Sequence, residues 1–494
     1  MMSEIRAGAV LNYVNLGLRI GVPLVLTPYV LEVLGPAEYG LYMLASTLLV
    51  RLYLSDLGRT TSTKFLSEYR TRGDAAGEAH FLGMLAALYS LAGAVLLAIG
   101  LGVYPFLGAI FPEFTVEELG IYRVLYLMTL VNAAIMFPAR SLTGIADSQQ
   151  KYVVPGVIAV GVSVLNAVGT WLVLGWGWRS VGLVAFNIGT GVLALVLNMV
   201  YCFVCLRARL SWQGWDAGLC RGLFAFSWWM LLNQLINMLN AGTGNYLVAM
   251  TLGADAATVY TCGLQIYANY FLLGGCLAQL FLPRVVGLVV RGASPAVQTE
   301  AMARLGRVQL FILLPVALAL IFYGQQFFDL WVGHKLGERA QLSWLIAVAL
   351  VVPQTFSLVQ ALGWQISQAR EALRQRVAIT AFNSMLFIVV SYVVCRWWGI
   401  AAQAVWAAVS ITIQLLMLNL IHYRSLGLSP LRFYARTFAG WYRWVPALAL
   451  CAWAAQQFVP GAGWWSLLAR LAVLTLCSVY LVLRNTKAEF RRAK

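Results

Sequence analysis

The sequence predicts an all-α, polytopic membrane protein of about fourteen transmembrane helices, and three observations carry that prediction. Hydrophobic residues make up 61% of the 494-residue chain and charged residues only 11%, against about 25% charged in an average soluble domain. Apolar runs of roughly 20 residues, long enough to cross a bilayer as a helix, recur from end to end with short polar joints between them. The runs do not alternate strictly between apolar and polar residues and are too long for barrel strands, so the spans are helices.

In chain order the spans fall at about 9–33, 39–58, 81–107, 120–145, 152–174, 181–205, 223–251, 258–283, 306–328, 341–365, 377–396, 401–422, 443–459 and 464–484. The first is longer than the apolar stretch of a signal peptide, holds Arg19 and precedes many more spans, so it is expected to stay in the mature protein. No joint is long enough for a separate soluble domain. The face that bears the N-terminus collects 26 of the 34 lysines and arginines, whereas the opposite face has 5: Arg123, Arg179, Lys335, Arg339 and Arg396. By the positive-inside rule both termini are cytoplasmic. The net charge of +16 is then a property of one membrane face, and without a basic soluble domain nucleic acid is not an expected partner.

Most of the eight cysteines lie inside or at the ends of spans, which is no disulfide framework. Cys202 and Cys205 form one C-x-x-C, but there is no second pair, and His80, His334 and His422 are distant in sequence. They read as packing residues, and neither a metal nor a cofactor is expected.

The stretch LGPAEYGLY at 34–42 returns as LGADAATVY at 252–260, sharing Leu-Gly, six residues and Tyr at an offset of 218. Six spans, an even number, separate the two turns, which makes the halves parallel repeats about an axis along the membrane normal. The expected organisation is an N-terminal six-helix lobe (1–210), a C-terminal six-helix lobe (211–425) and an accessory helix pair with a basic tail (426–494), the lobes enclosing a central cavity. In this register Arg19 falls on Asn237 and Arg51 on Asn269.

These positions belong to four polar helix faces. Span one carries Asn12, Asn15 and Arg19; span two carries Thr47, Arg51 and Ser55; span seven carries Asn233, Asn237 and Asn240; span eight carries Gln265 and Asn269. Spacings of three, four, seven and eight residues put each set on one side of its helix. Amides alone suit interhelical glue as well as a cavity wall. The arginines tip the balance, because a guanidinium at mid-span costs at least ~2.5 to 3.5 kcal/mol on insertion scales and marks a functional site by default. Arg19 and Arg51 both sit ~10 to 15 Å from the cytoplasmic span ends. Asp56 is a poor partner for Arg51, since five residues place it about 140° around the helix. Arg284, after Pro283, marks the cytoplasmic mouth of span eight, either as a receptor for an anionic headgroup or as an ordinary positive-inside charge. Arg123, Arg140 and Arg470 read as snorkelling anchors, and Trp176, Trp178, Trp464 and Trp465 as an interfacial belt.

A two-lobed helical bundle with polar inner faces reads as a transporter that alternates access between its lobes. Two intramembrane arginines suit an anionic cargo and bind phosphate oxygens bidentately. Asp56 is the only acid well inside a span, so a site for organic cations has little to stand on. An enzyme needs acid/base or nucleophilic groups gathered at one place, whereas Glu113, Glu117 and Glu118 read as a solvated turn and His334 is the only outer histidine.

The stretches LTPYVLEVLGPAEYGLYMLAS and YLSDLGRTTSTKFLSEYRTRGD resemble the N-terminal signature of the bacterial oligosaccharide and polysaccharide flippases. These are the Wzx-like members of the multidrug/oligosaccharidyl-lipid/polysaccharide exporter superfamily. LTGIADSQQKY and LGADAATVY extend the likeness more weakly, and the specific part is the first 75 residues or so. The resemblance implies movement of polyprenyl-diphosphate-linked sugar repeat units from the cytoplasmic to the outer leaflet of a bacterial inner membrane. The pathway would be that of a surface polysaccharide such as O-antigen or exopolysaccharide, with its polymerase or export components as possible partners. Arg19 and Arg51 are similar in placement to cavity arginines of the related lipid II flippases. Span eight departs from that pattern in offering Gln265 and Asn269 and no arginine. Asp56 and Gly58 match the family's Asp-x-Gly ending of span two, where a structural role is assigned. The alternatives are a cation-coupled multidrug exporter of the same superfamily and a membrane-embedded polysaccharide polymerase or ligase.

Overall fold

The computed structural model describes residues 2–52, 55–212, 214–290, 292–363, 366, 373–439 and 441–492, with parts of 2–9, 48–64, 138–143, 219–241, 277–290 and 481–492, and 373 and 441–443, described as backbone alone. The described residues form helices and no strands. In order these are α1 (Met2–Leu34), α2 (Pro36–Leu52), α3 (Ser55–Arg72), α4 (Ala75–Val103), α5 (Leu107–Ile110), α6 (Val116–Ser148), α7 (Val153–Gly175), α8 (Arg179–Val200), α9 (Ala217–Val290), α10 (Pro295–Trp331), α11 (Gly333–Leu336), α12 (Arg339–Val359), α13 (Leu373–Arg424), α14 (Pro430–Thr437), α15 (Trp441–Phe458) and α16 (Trp464–Arg492). Every expected span overlaps one of them. Long helices α9 and α13 each hold two spans, divided at Gly253 (φ 86°) and Gly399 (φ 75°). Among the described residues nine helical stretches are long and apolar enough to cross a membrane, so the chain is a multi-pass membrane protein.

The repeated Leu-Gly has a conformational meaning. Gly35 (φ 79°) and Gly253 (φ 86°, ψ 179°) both have a positive φ, which a side chain disfavours. The joints after spans five and eleven turn in the same way at Gly177 (φ 80°) and Gly399 (φ 75°). Trp176, Trp178, Trp397 and Trp398 flank them and are exposed, as the interfacial belt requires.

The chain forms two compact units, residues Met1–Thr258 and Val259–Lys494. In the first, α6 is the hub, packing against α2, α3, α4 and α8, while α1 lies along α7. Gly144 allows a close crossing of α6 and α3, since a Cβ there would overlap the Ser62 side chain. In the second, α10 plays the same part for α12, α14, α15 and α16.

Two expectations change. The polar joint expected at 59–80 is mostly helix α3. Its charges defeat a hydropathy window, yet Ser62 and Leu66 are fully buried one turn apart, and Phe65 stacks on Phe81 with ring centroids 5.5 Å apart. Arg470 does not snorkel. It is only 8% exposed; it donates to the Val459 carbonyl from Nη2 at 2.8 Å, to the Gly461 carbonyl at 3.1 Å, and to Gln326 of α10. Gln326 also donates to the Gly463 carbonyl at 3.1 Å and to Ser466 at 3.0 Å. The guanidinium therefore fastens the α15–α16 joint to α10, the carbonyl oxygens satisfying a charge that burial would otherwise make costly.

Candidate functional site

Helix α1 presents the first polar face. Gly8 meets Tyr152 and Leu11 meets Gly156, so this edge of α1 rests on α7. Asn15 lies on the same edge, where its Oδ1 accepts a hydrogen bond from Ser163 at 3.0 Å. Asn12 and Arg19 are turned farther round and are exposed. Arg19 makes no ion pair among the described residues although it sits inside the apolar stretch Val10–Leu34. Thr47 on α2 is half-buried. The side chains of Arg51, Asn233, Asn237, Asn240 and Arg284 lie outside the described residues.

In the second unit Gln265 and Asn269 are both half-buried. The Nδ2 of Asn269 is shut off from solvent with no acceptor among the described residues. An unsatisfied buried donor costs about 1–3 kcal/mol, which makes this amide an open hydrogen-bonding position. Its helix is held firmly: Tyr267 donates to Gln354 at 3.2 Å, and the Tyr270 hydroxyl lies 2.6 Å from Thr355 and donates to the Leu313 carbonyl at 3.2 Å.

Within the first unit the two Leu-Gly turns meet. Thr258 donates to the Pro36 carbonyl at 2.5 Å, and a Cβ on Gly40 would overlap the Ala254 carbonyl oxygen. Subtracting the repeat offset turns 254 into 36 and 258 into 40, so each turn offers the same two positions to the other. That is the pattern of a two-fold, self-complementary contact. Tyr246 adds a hydrogen bond to the Leu44 carbonyl at 2.9 Å.

Glu38, an acid that the motif contains but that sequence reasoning did not single out, fastens the first turn. The Arg179 Nε donates to its Oε2 at 2.7 Å and the Ser180 amide to its Oε1 at 3.0 Å. Arg179 Nη2 also bonds Oε2, and Glu38 is buried while Arg179 is more than half exposed. Burial works against the Glu38 charge, but the bonds from Arg179 and Ser180 outweigh it and hold the pKa below the ordinary value. The available signal was an acid at the start of an apolar span with an arginine at the start of another.

At the other end of the unit, two of the quoted motifs touch. Arg70 of α3 donates from Nε to Glu78 of α4 at 2.8 Å and from Nη1 to Ser148 of α6 at 2.7 Å. The Gln149 side-chain oxygen accepts from the same guanidinium, at 2.9 Å from Nη2 and 3.2 Å from Nη1. Arg70 thus ties the FLSEYRTRGD stretch to ADSQQ.

A helical, multi-pass chain with polar spans and repeated turns shares its fold with solved transporter structures. The lipid II flippase MurJ in an inward closed conformation matches with a TM-score of 0.74 at 13% identity, covering 98% of this chain and 99% of that one. The Vibrio cholerae MATE transporter VcmN matches at 0.58 and 15% identity, over 87% and 99% of the two chains. A superfamily transporter from Pyrococcus furiosus also gives 0.58 at 15% identity, over 88% and 96%. The family described as polysaccharide biosynthesis protein matches residues 114–341. No curated protein matches the sequence. The family match covers less than half of the chain, and the solved structures show its fold.

Proposed function

We propose that this protein is a flippase that carries polyprenyl-diphosphate-linked oligosaccharide repeat units from the cytoplasmic to the outer leaflet of a bacterial inner membrane. The observation that carries the proposal is Arg19, an exposed guanidinium within an apolar span. A charge placed there has a use if the diphosphate of a lipid carrier pairs with it, and guanidinium geometry matches phosphate oxygens. Arg51 is the second cation, Asn12, Thr47, Asn233, Asn237, Asn240, Gln265 and Asn269 supply hydrogen bonds to the head, and Arg284 receives it at the cytoplasmic mouth. Asn15 combines a cavity position with its bond to Ser163.

The lobes 1–210 and 211–425 rock about the site, and 426–494 is accessory. The contact of residues 36 and 40 with 258 and 254 is the outer closure that opens to release cargo. Moving an anion outward is downhill in a cell negative inside, by ~2.3 kcal/mol per charge per 100 mV if the whole field is crossed, so no coupling ion is needed.

A leaflet-resolved mass-spectrometric assay of polyprenyl-diphosphate sugars, with the gene deleted and restored, tests the proposal. Complete repeat units accumulating in the cytoplasmic leaflet and cleared by the restored gene are the expected result. Complete units in the outer leaflet of the deletion strain, left unpolymerised, would instead move the protein to polymerisation or ligation. The fold shared with MATE transporters favours a multidrug exporter as second reading, which requires organic-cation export to fall on deletion.

A further inference from the structure

Helix α14 lies between α13 and α15, which contain the twelfth and thirteenth spans, so both its ends are tied to span ends on one membrane face. It has eight residues, about 12 Å of helix, and begins with a Ser429 cap on the Arg432 amide at 3.3 Å. One side is fastened inward. Phe433 and Thr437 are buried; Phe433 packs with Met302 and Leu305 of α10, and Tyr434 accepts a hydrogen bond at 3.2 Å from Asn419, whose oxygen is held by Gln360 at 2.7 Å. The other side is left open and is composed of two rows. Leu431 and Ala435 form an apolar row, Leu431 at 85% exposure, and Arg432 and Arg436 form a basic row one turn apart, both exposed. Glu300 of α10, 3.9 Å from Arg436 and 4.0 Å from Arg307, is the acid that faces this row. Arg432 has no ion pair among the described residues.

We propose that α14 is an interfacial foot that binds the headgroups of anionic phospholipids, Leu431 entering the acyl boundary while Arg432 and Arg436 pair with phosphate. A large apolar side chain and two guanidiniums, on a helix that cannot rotate because its inner side is bonded to the protein, match a surface that is itself half hydrocarbon and half anionic phosphate. A soluble acidic partner would use the arginines and leave Leu431 in water. The anionic leaflet is the cytoplasmic one, the side to which the charge distribution assigns this joint; the inference rests on that orientation and not on the cargo.

The test is native mass spectrometry of the full-length protein released from nanodiscs of equal phosphatidylglycerol and phosphatidylethanolamine, with intact protein, Arg432→Gln/Arg436→Gln and Arg432→Lys/Arg436→Lys. Intact protein should retain phosphatidylglycerol over phosphatidylethanolamine. The glutamine variant should bind phosphatidylglycerol about tenfold more weakly, from roughly fivefold for one arginine near an anionic surface and less for the second because of Glu300. The lysine variant, which keeps the charge, should retain most of the preference and reports that the change leaves the fold intact. Equal retention of phosphatidylglycerol by intact and glutamine proteins overturns the proposal, as does an intact protein with no preference. Because the readout is bound lipid, a failure here leaves the transport proposal standing, and a failure of transport leaves this one standing.

Discussion

The turns at Gly35 and Gly253 share a positive-φ glycine and differ in what surrounds it. The first is followed by Pro36 and by Glu38, whose buried carboxylate is bonded to Arg179 and Ser180. In the second the equivalent of Glu38 is Ala256, and the neighbouring Asp255 is exposed. The polar faces are unequal in the same sense, with Arg19 and Arg51 in the first repeat where Asn237 and Asn269 stand in the second. Two turns can thus share a positive-φ glycine while the charges beside them differ: the glycine is a demand of the helix end, whereas the Glu38 carboxylate answers to Arg179 and Ser180.

The largest effect should come from erasing that difference. Arg19→Ala and Arg51→Ala should each abolish translocation with expression and insertion unchanged, whereas Asn237→Ala and Asn269→Ala should reduce it only several-fold, a charge-assisted bond being roughly twice as strong as a neutral one. Complementation of a deletion strain, read against membrane protein level, checks this. Full complementation by both arginine variants would remove them from the site.

The next effect concerns the ion pair. Arg179→Ala leaves the buried Glu38 carboxylate with only the Ser180 amide and should cost about 2–3 kcal/mol of stability, less than the 3–5 of a fully buried pair because Arg179 is largely exposed. Glu38→Gln should cost less, since the guanidinium left behind is solvated. The Glu38 pKa is lowered, so its stabilisation is complete above the ordinary carboxylate value of about 4.3 and is lost as pH falls through the lower folded value. Thermal unfolding in detergent should therefore show a gap between intact protein and Glu38→Gln that is constant from neutral pH down to about 5 and closes at lower pH. No change of stability in Ala256→Glu, where position 397, the repeat equivalent of Arg179, is a tryptophan, would weaken the comparison.

The helices were legible because hydropathy and length report a bilayer solvent directly, and the Leu-Gly repeat was legible because turns with a positive φ need glycine. Helix α3 was not, since RTTSTKFLSEYRTR carries buried Ser62 and Leu66 and half-buried Tyr69 among charges that lower any window average. Asn15 was read from spacing as part of a polar face, and spacing places it there, but only packing distinguishes the edge that touches Ser163 from the edge that leaves Asn12 and Arg19 open. Glu38 and Arg179 stand 141 residues apart, and no local pattern couples them. Arg470 looked like an anchor because its depth was readable and its carbonyl partners, supplied by a loop folding back, were not.

The smallest expected effect is also the most direct test of the shared turn. At Gly35 a Cβ would meet nothing within 4 Å, and at Gly253 only the Glu113 carbonyl at 3.8 Å, so neither position lacks room for a methyl group. Any cost of Gly35→Ala or Gly253→Ala comes from the positive-φ backbone alone, about 1–3 kcal/mol, and should be similar at the two sites despite their different neighbours. Asparagine should gain nothing over alanine at Gly253, whose φ of 86° and ψ of 179° lie in a region open essentially to glycine alone. Gly40→Ala is the contrast: its backbone is helical, but its Cβ would overlap the Ala254 carbonyl, so its penalty is steric, and asparagine there should be worse than alanine. Unfolding midpoints separate the two cases by the alanine-to-asparagine change, near zero at Gly253 and a further loss at Gly40. A further loss at Gly253 as large as that at Gly40 would mean that the turn glycine answers to packing and not to its backbone.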